Sequence, residues 1–316
     1  MEEVKYIKVT NKIGERNRKT YFYEIFSSDN FAVIPKTPIM ELKQSGDIDD
    51  VDVDMIDFVY RSRFCSKSQL ERYCKYKGYE NVENRIWNLL GSGIINSFFL
   101  SRINPRNAAV HKPADAKTFY CLKIGGKYIL EEFSDRRFVD WEAGNNITQI
   151  KNIENQEIFN EILLDIMTSG VKITNSWMHP EYSLREKRVK PLGHLGITRT
   201  TEKEKEYLIF DVIRMEDNPD DVQRKILLWE EYLVKNKSWM KIFGASKKLP
   251  TLVLITDNDE SAMSLARSIG DSTQLNILLL TTFDRIENKK LNDVGKFLKY
   301  NRDDKTLYEV SYNLFS

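Results

Sequence analysis

The chain has 316 residues, of which 41% are hydrophobic and 11% aromatic, so it is long enough for two domains and too apolar to be disordered throughout. Its 48 Lys and Arg against 47 Asp and Glu leave a net charge of +1, so any nucleic-acid surface must come from local clustering rather than overall charge. No run of about 18 apolar residues exists and the opening MEEVKYIKVTNK lacks a signal-peptide layout, which predicts a soluble, cytoplasmic protein without a membrane partner.

Residues 1–45 alternate like short strands in KYIKVT and TYFYEIF, a β-rich extension that runs into VIPKTPIMEL, where Pro35 and Pro38 are expected to break regular structure. SGDIDDVDVD, residues 45–54, is an acidic linker whose aspartates suit the first turn of a following helix. Residues 50–135 then change period. DMIDFVYRSRF spaces Ile56, Val59 and Tyr60 helically, and CSKSQLERYCKYKG opens on a Ser66/Gln69 capping box, turns Leu70, Tyr73 and Cys74 inward and stops at Gly78. ENVENRIWNLLGSG makes a third helix with Val82, Ile86, Leu89 and Leu90 on one face and Gly91 and Gly93 at its end. Two strands follow, IINSFFL and TFYCLKI, around a Pro- and Arg-containing tip. Three short helices and a β-hairpin describe a winged helix-turn-helix, closed by a helix or turn over GGKYILEEF.

Polar residues 133–153, with Gly144-Asn145-Asn146, form the expected boundary. The second domain, 154–316, starts with the amphipathic helix NQEIFNEILLDIMTSG, whose stripe is Phe159, Ile162, Leu163 and Ile166. VKPLGHLGITRTTEKEKEYLIFDVIRM reads as two strands around a charged turn. DDVQRKILLWEEYLVKN is a helix, TLVLITD and LNILLLTTF are buried strands, and DESAMSLARSIG is the helix between them. That order describes a mixed sheet with helices packed on it.

MIDFVYRSRFCSKSQLERYC, NRIWNLLGSGII, TFYCLKIGGKYIL and YLIFDVIRMEDNPDDVQRKILLWEEYL, taken in order, resemble the replication-relaxation family of plasmid and mobile-element proteins over roughly residues 50–285. The resemblance implies an α+β chain, an N-terminal winged helix-turn-helix followed by an α/β restriction-endonuclease-like (PD-(D/E)XK-type) mixed-sheet domain. Such a nuclease core holds Mg²⁺ between converging carboxylates, one on the first strand and another in an acid-x-Lys on the second. Here the first strand has Pro191-Leu192 where the family has Pro-Asp. The second has Asp211-Val212-Ile213-Arg214. Glu161 or Asp165, on the preceding helix, could supply a ligand beside Asp211 if the core were active; otherwise Asp211 pairs with Arg214 or a helix N-terminus. His194 reads as a hydrogen-bonded turn histidine. The core is therefore expected to be emptied of catalysis, with no cofactor, and Mg²⁺ only under the nuclease alternative.

The winged helix carries better local signals. Arg61, Arg63, Lys67, Arg72, Lys75 and Lys77 cluster around its second helix, where Ser68 adds a hydroxyl, and Glu71 alone opposes them. These residues suit phosphate contacts. Asn81, Asn84, Arg85 and Asn88 on the third helix are placed outward as base readers, Asn for adenine and Arg for guanine. Arg102, Arg106, His111 and Lys112 in the wing suit backbone or minor groove, Glu83 tempers the charge, and Trp87 is expected to pack against the wing. Cys65, Cys74 and Cys121 read as buried thiols, and GASKK and KIGGKY lack P-loop spacing. The expected function is double-stranded DNA binding in replication, conjugative transfer or transcription control, with the nuclease-like domain serving dimerisation or contact with DNA, replication or transfer proteins. The alternatives are a Mg²⁺-dependent endonuclease and a winged-helix protein adaptor.

Overall fold

The computed structural model describes residues 5–11, 19–25, 34–101, 117–134, 153–169, 171–178, 180–184, 187–198, 205–214, 217–237, 239–243, 249–270, 275, 278–290 and 293–311. The predicted boundary at 133–153 and the wing tip with Arg102, Arg106, His111 and Lys112 lie largely or wholly outside those residues. The fold is mixed α and β, and among the described residues no helix is long and apolar enough to cross a membrane. Two compact units divide the chain, the first ending at Asn160 and the second taking over at Glu161.

In the first unit, strands β1 (Lys5–Asn11) and β2 (Lys19–Ile25) form an antiparallel pair. Helix α1 (Lys36–Ser45) follows, where the prolines were expected to break regular structure. The reason is positional. Pro35 is the N-cap and Pro38 falls in the first turn, whose N–H groups have no intrahelical acceptor to lose. Helix α2 (Asp50–Ser62) starts on a capping box in which Asp49 accepts from the Asp52 N–H and Asp52 accepts from the Asp49 N–H. The short strand β3 (Cys65–Ser66) leads into α3 (Lys67–Lys77), with the predicted Ser66/Gln69 box and a left-handed Gly78 at its end. Helix α4 (Val82–Gly91) buries Ile86 and Leu89, and β4 (Ile95–Ser101) and β5 (Lys117–Leu122) complete a five-stranded sheet in the order β1-β2-β4-β5-β3. The N-terminal strands thus extend the sheet, β2 pairing antiparallel with β4.

Met55, Phe58, Val59, Phe64, Tyr73, Phe98 and Phe119 make the core of this unit. Helix α5 (Ile124–Phe133) closes it, and the glycine pair explains how it can: a Cβ on Gly125 would stand 2.8 Å from the Gly93 carbonyl oxygen, and one on Gly126 2.6 Å from that of Ile94. The KIGGKY glycines are a close-packing device. All three cysteines are buried and free, and burial pushes the Cys74 and Cys121 thiols up to about 12.

Helix α6 (Ile153–Thr168) spans the division between the units. In the first, Asn160 donates to the Phe64 carbonyl at 2.6 Å. In the second, α6 is followed by β6 (Lys172–Met178), the hairpin β7 (Tyr182–Leu184) and β8 (Lys187–Val189), then β9 (Gly193–Thr198) and β10 (Lys205–Val212). Helix α7 (Pro219–Glu230), extended by a π turn, precedes the short α8 (Met240–Phe243), β11 (Thr251–Thr256), α9 (Asp259–Gly270), β12 (Leu278–Thr282), α10 (Phe283–Asn288), β13 (Phe297–Asn301) and β14 (Thr306–Val310). The sheet order is β14-β13-β12-β11-β10-β9-β6. Among the described residues only the β10–β11 and β11–β12 pairings are parallel, as strands separated by helices must be when the connection crosses over; β9 and β13 run antiparallel to the strands they flank. Ile209, Ile213, Leu252 and Leu254 share a core with Ile226 and Trp229 of α7 and Ala262 and Leu265 of α9.

Candidate functional site

The basic residues predicted for phosphate contact divide into two groups. Arg61 is paired with Asp57 at 2.9 Å, and Lys77 lies 3.3 Å from Asp54, whose carboxylate also accepts from the Tyr73 and Tyr79 hydroxyls. Arg63 is half-buried with a positive φ of 56° at the end of α2, and burial lowers its pKa. Arg61 and Arg63 are thus half-buried in the fold, whereas Lys77 stays exposed beside its partner. Lys67, Ser68, Arg72 and Lys75 are exposed along α3. Lys67 sits 3.7 Å from Glu71 and 3.5 Å from Glu83; such exposed ion pairs are weak and leave its ammonium able to meet a phosphate.

On α4 the outward placement holds for Asn81, Asn84 and Asn88, all exposed, and fails for Arg85. The Arg85 guanidinium turns back to α2. Its Nη1 donates to Asp49 Oδ1 at 2.9 Å and Asp52 Oδ1 at 2.8 Å, and Nη2 donates to Asp49 Oδ2 at 2.8 Å. Hydrogen bonding to Arg85 holds the Asp49 carboxyl down at about 2, burial pushes that of Asp52 up, and the two aspartates raise Arg85 above its ordinary value. The expected guanine reader is an internal tie. Trp87 departs from expectation in the opposite sense: instead of packing against the wing it is 65% exposed on the outer face of α4. It borders a pocket of about 370 Å³ whose lining includes Leu42, Ile48, Asp52 and Asn88.

In the second unit β9 and β10 pair antiparallel up to Phe210 opposite Gly193, and the next step in that register sets Asp211 opposite Leu192. Side chains on a strand alternate, so Asp211 and Ile213 share a face. The family resemblance would place acid, acid and lysine at Leu192, Asp211 and Ile213, and all three residues are buried. Asp211 is already satisfied. Its Oδ1 accepts from the Val212 N–H at 2.9 Å and the Lys225 ammonium at 2.8 Å, and its Oδ2 accepts from Trp229 Nε1 at 2.8 Å. Lys225 donates further to the Val212 carbonyl at 3.1 Å. The predicted partner Arg214 instead bonds Asp257 at 2.8 Å and lies over the Phe283 ring, because its side chain leaves β10 beyond the sheet toward the end of β11.

Asp165 does not join Asp211; it accepts from the fully buried Lys296 ammonium at 2.6 Å. Glu161 is half-buried on α6, and among the described residues no cluster of three His, Cys, Asp or Glu could hold a metal ion. One carboxylate with both oxygens engaged by donors, flanked by leucine and isoleucine, does not fit Mg²⁺. His194 is on strand β9 and not in a turn. It is wholly buried, shares a 2.5 Å hydrogen bond from Nδ1 with the Tyr182 hydroxyl, meets Phe243 edge-on, and burial lowers its pKa to about 4.

Lys225 and Trp229 escaped sequence reasoning, although their i, i+4 spacing puts both on one face of α7. Asp49 and Asp52, read as helix-start residues, gave no sign of a second bond to Arg85. Compared with protein families, characterised proteins and solved structures, the chain matches none.

Proposed function

We propose that this chain is a non-catalytic double-stranded DNA-binding protein, its first unit a winged helix and its second a nuclease-type sheet kept as scaffold. The observation that carries the reading is the order α2, β3, α3, α4, β4, β5, in which α3 exposes Lys67, Arg72 and Lys75 and α4 exposes a polar face. Cations on one helix give affinity through phosphates, and side chains on the next reach base edges. The order α6, β6, β9, β10, α7, β11, with β6, β9 and β10 antiparallel and β11 parallel to β10, supports a restriction-endonuclease-like lineage for the second unit. Leu192, Ile213 and the Lys225–Asp211 pair support its loss of metal chemistry.

With the sequence resemblance to replication-relaxation proteins, this reading assigns the chain to cytoplasmic replication, conjugative transfer or transcription control on a plasmid or mobile element. The second unit would then serve homodimerisation or partner contact. The test is fluorescence anisotropy with duplex DNA over a salt series, with and without Mg²⁺. The expected result is binding that weakens steeply as salt rises, with uncut DNA in both conditions. Salt-independent or undetectable binding would refute the DNA reading, and Mg²⁺-dependent cleavage the scaffold reading.

A further inference from the structure

On α4, Asn84, Trp87, Asn88 and Gly91 recur at i, i+3, i+4 and i+7, which puts them on one stripe of the helix. All four are exposed, Trp87 by 65%, and a Cβ on Gly91 would meet nothing within 4 Å. The stripe is neutral: it offers two carboxamides, one large apolar ring and a place where the backbone can come close. The helix's one basic side chain, Arg85, is held away from it by three hydrogen bonds to Asp49 and Asp52.

We infer that α4 reads A·T base pairs in the major groove, an inference that rests on the DNA-binding reading above. The chemistry of base edges selects this target. A carboxamide matches the N7 acceptor and N6 amino donor of adenine in a bidentate pair, and an exposed apolar ring matches the C5-methyl group of thymine. Guanine presents two acceptors and calls for a bidentate cation, which Arg85 cannot supply while Asp49 and Asp52 hold it. Affinity then comes from α3 and is blind to sequence, while discrimination comes from Asn84, Trp87 and Asn88.

The test begins with selection of bound duplexes from a random pool by the full chain, followed by base analogues in the selected site. An A·T-rich motif is expected. Replacing its thymines with uracil should weaken wild-type binding about fourfold, the weight of one buried methyl group, and leave Trp87→Ala unchanged. Replacing contacted adenines with 7-deazaadenine should weaken the wild type roughly five- to a hundred-fold and leave the Asn84→Ala/Asn88→Ala double variant far less affected. Both variants alter exposed side chains, and the analogues leave the protein untouched, so misfolding cannot mimic the result. A G·C-rich motif, or indifference to both analogues, overturns the inference while salt-sensitive binding keeps the DNA reading. Failure to bind any duplex overturns both and gives the stripe to a protein contact.

Discussion

Replacing Asp211 with alanine separates a scaffold from a disabled enzyme, because the two assign opposite signs to its effect on stability. In the structure Asp211 is 2% exposed and its carboxylate accepts from Val212, Lys225 and Trp229. Without it the Trp229 indole N–H, in a wholly buried side chain, loses its acceptor at a cost of about 1–3 kcal/mol. The Lys225 side chain is 34% exposed and can turn to water, so losing its ion pair adds under about 1 kcal/mol. The total is a loss of about 1–4 kcal/mol, or a fall in Tm of about 2–16 °C for a unit of this size. Asp211→Asn keeps an acceptor for Trp229 and should cost about 1 kcal/mol. Urea unfolding and thermal denaturation of the full chain read both values. A carboxylate conserved for metal binding is poorly satisfied without its ion, and removing it leaves stability unchanged or higher; that outcome for Asp211→Ala would refute the reasoning.

The buried His194 resists protonation, with a folded pKa near 4 against an ordinary 6.5. An unfolded chain therefore takes up its proton first as pH falls, so stability is full above about pH 6.5 and declines toward pH 4, by at most about 3 kcal/mol. His194→Phe should flatten that limb of a stability–pH curve. Asp49 acts in a lower window: its pKa of about 2 gives stability that is present above its ordinary 3.8 and lost as pH falls through 2, and Arg85→Ala should reduce that dependence, leaving the part due to Asp52. Because Arg85 is turned away from the outer face of α4, the same variant should lose about 1–2 kcal/mol of stability yet select the same DNA motif. Cys74 and Cys121, buried with thiols pushed up to about 12, should resist iodoacetamide at pH 8 in the native protein and react once it is unfolded.

Elements with a local chemical signature were legible. Ser66, Gln69 and Gly78 delimit α3 within a residue, and Ile86 and Leu89 set the inner face of α4. Strand β6 escaped because Lys172, Thr174, Asn175 and Trp177 are exposed on a sheet edge, and an edge strand has no need to alternate apolar with polar residues. Helix α1 was hidden by prolines that are harmless in a first turn. The largest misreadings concern tertiary partners. Asp211 has a plausible cation three residues on in Arg214, and only the packing of α7 on the sheet brings Lys225 and Trp229 to it. In the same way, the Arg85 side chain has outward and inward choices of similar reach, and the aspartates at the start of α2 decide between them. Trp87 reads from the sequence as packing against the wing, yet its position on α4 lies one turn from Asn84 and Gly91, on the face that solvent meets.

The Lys225 ammonium lies between a carboxylate oxygen and a main-chain carbonyl, two oxygens of the hard kind that free cations seek. The chain thereby carries its own counter-ion, tethered by four methylenes to a neighbouring helix. A dissociable ion in that place would tie folding to the ionic composition of its surroundings, whereas a tethered one is present at fixed concentration. Strand β10 and helix α7 are joined through it under any supply of divalent metal, so a chelator has nothing to withdraw from this joint.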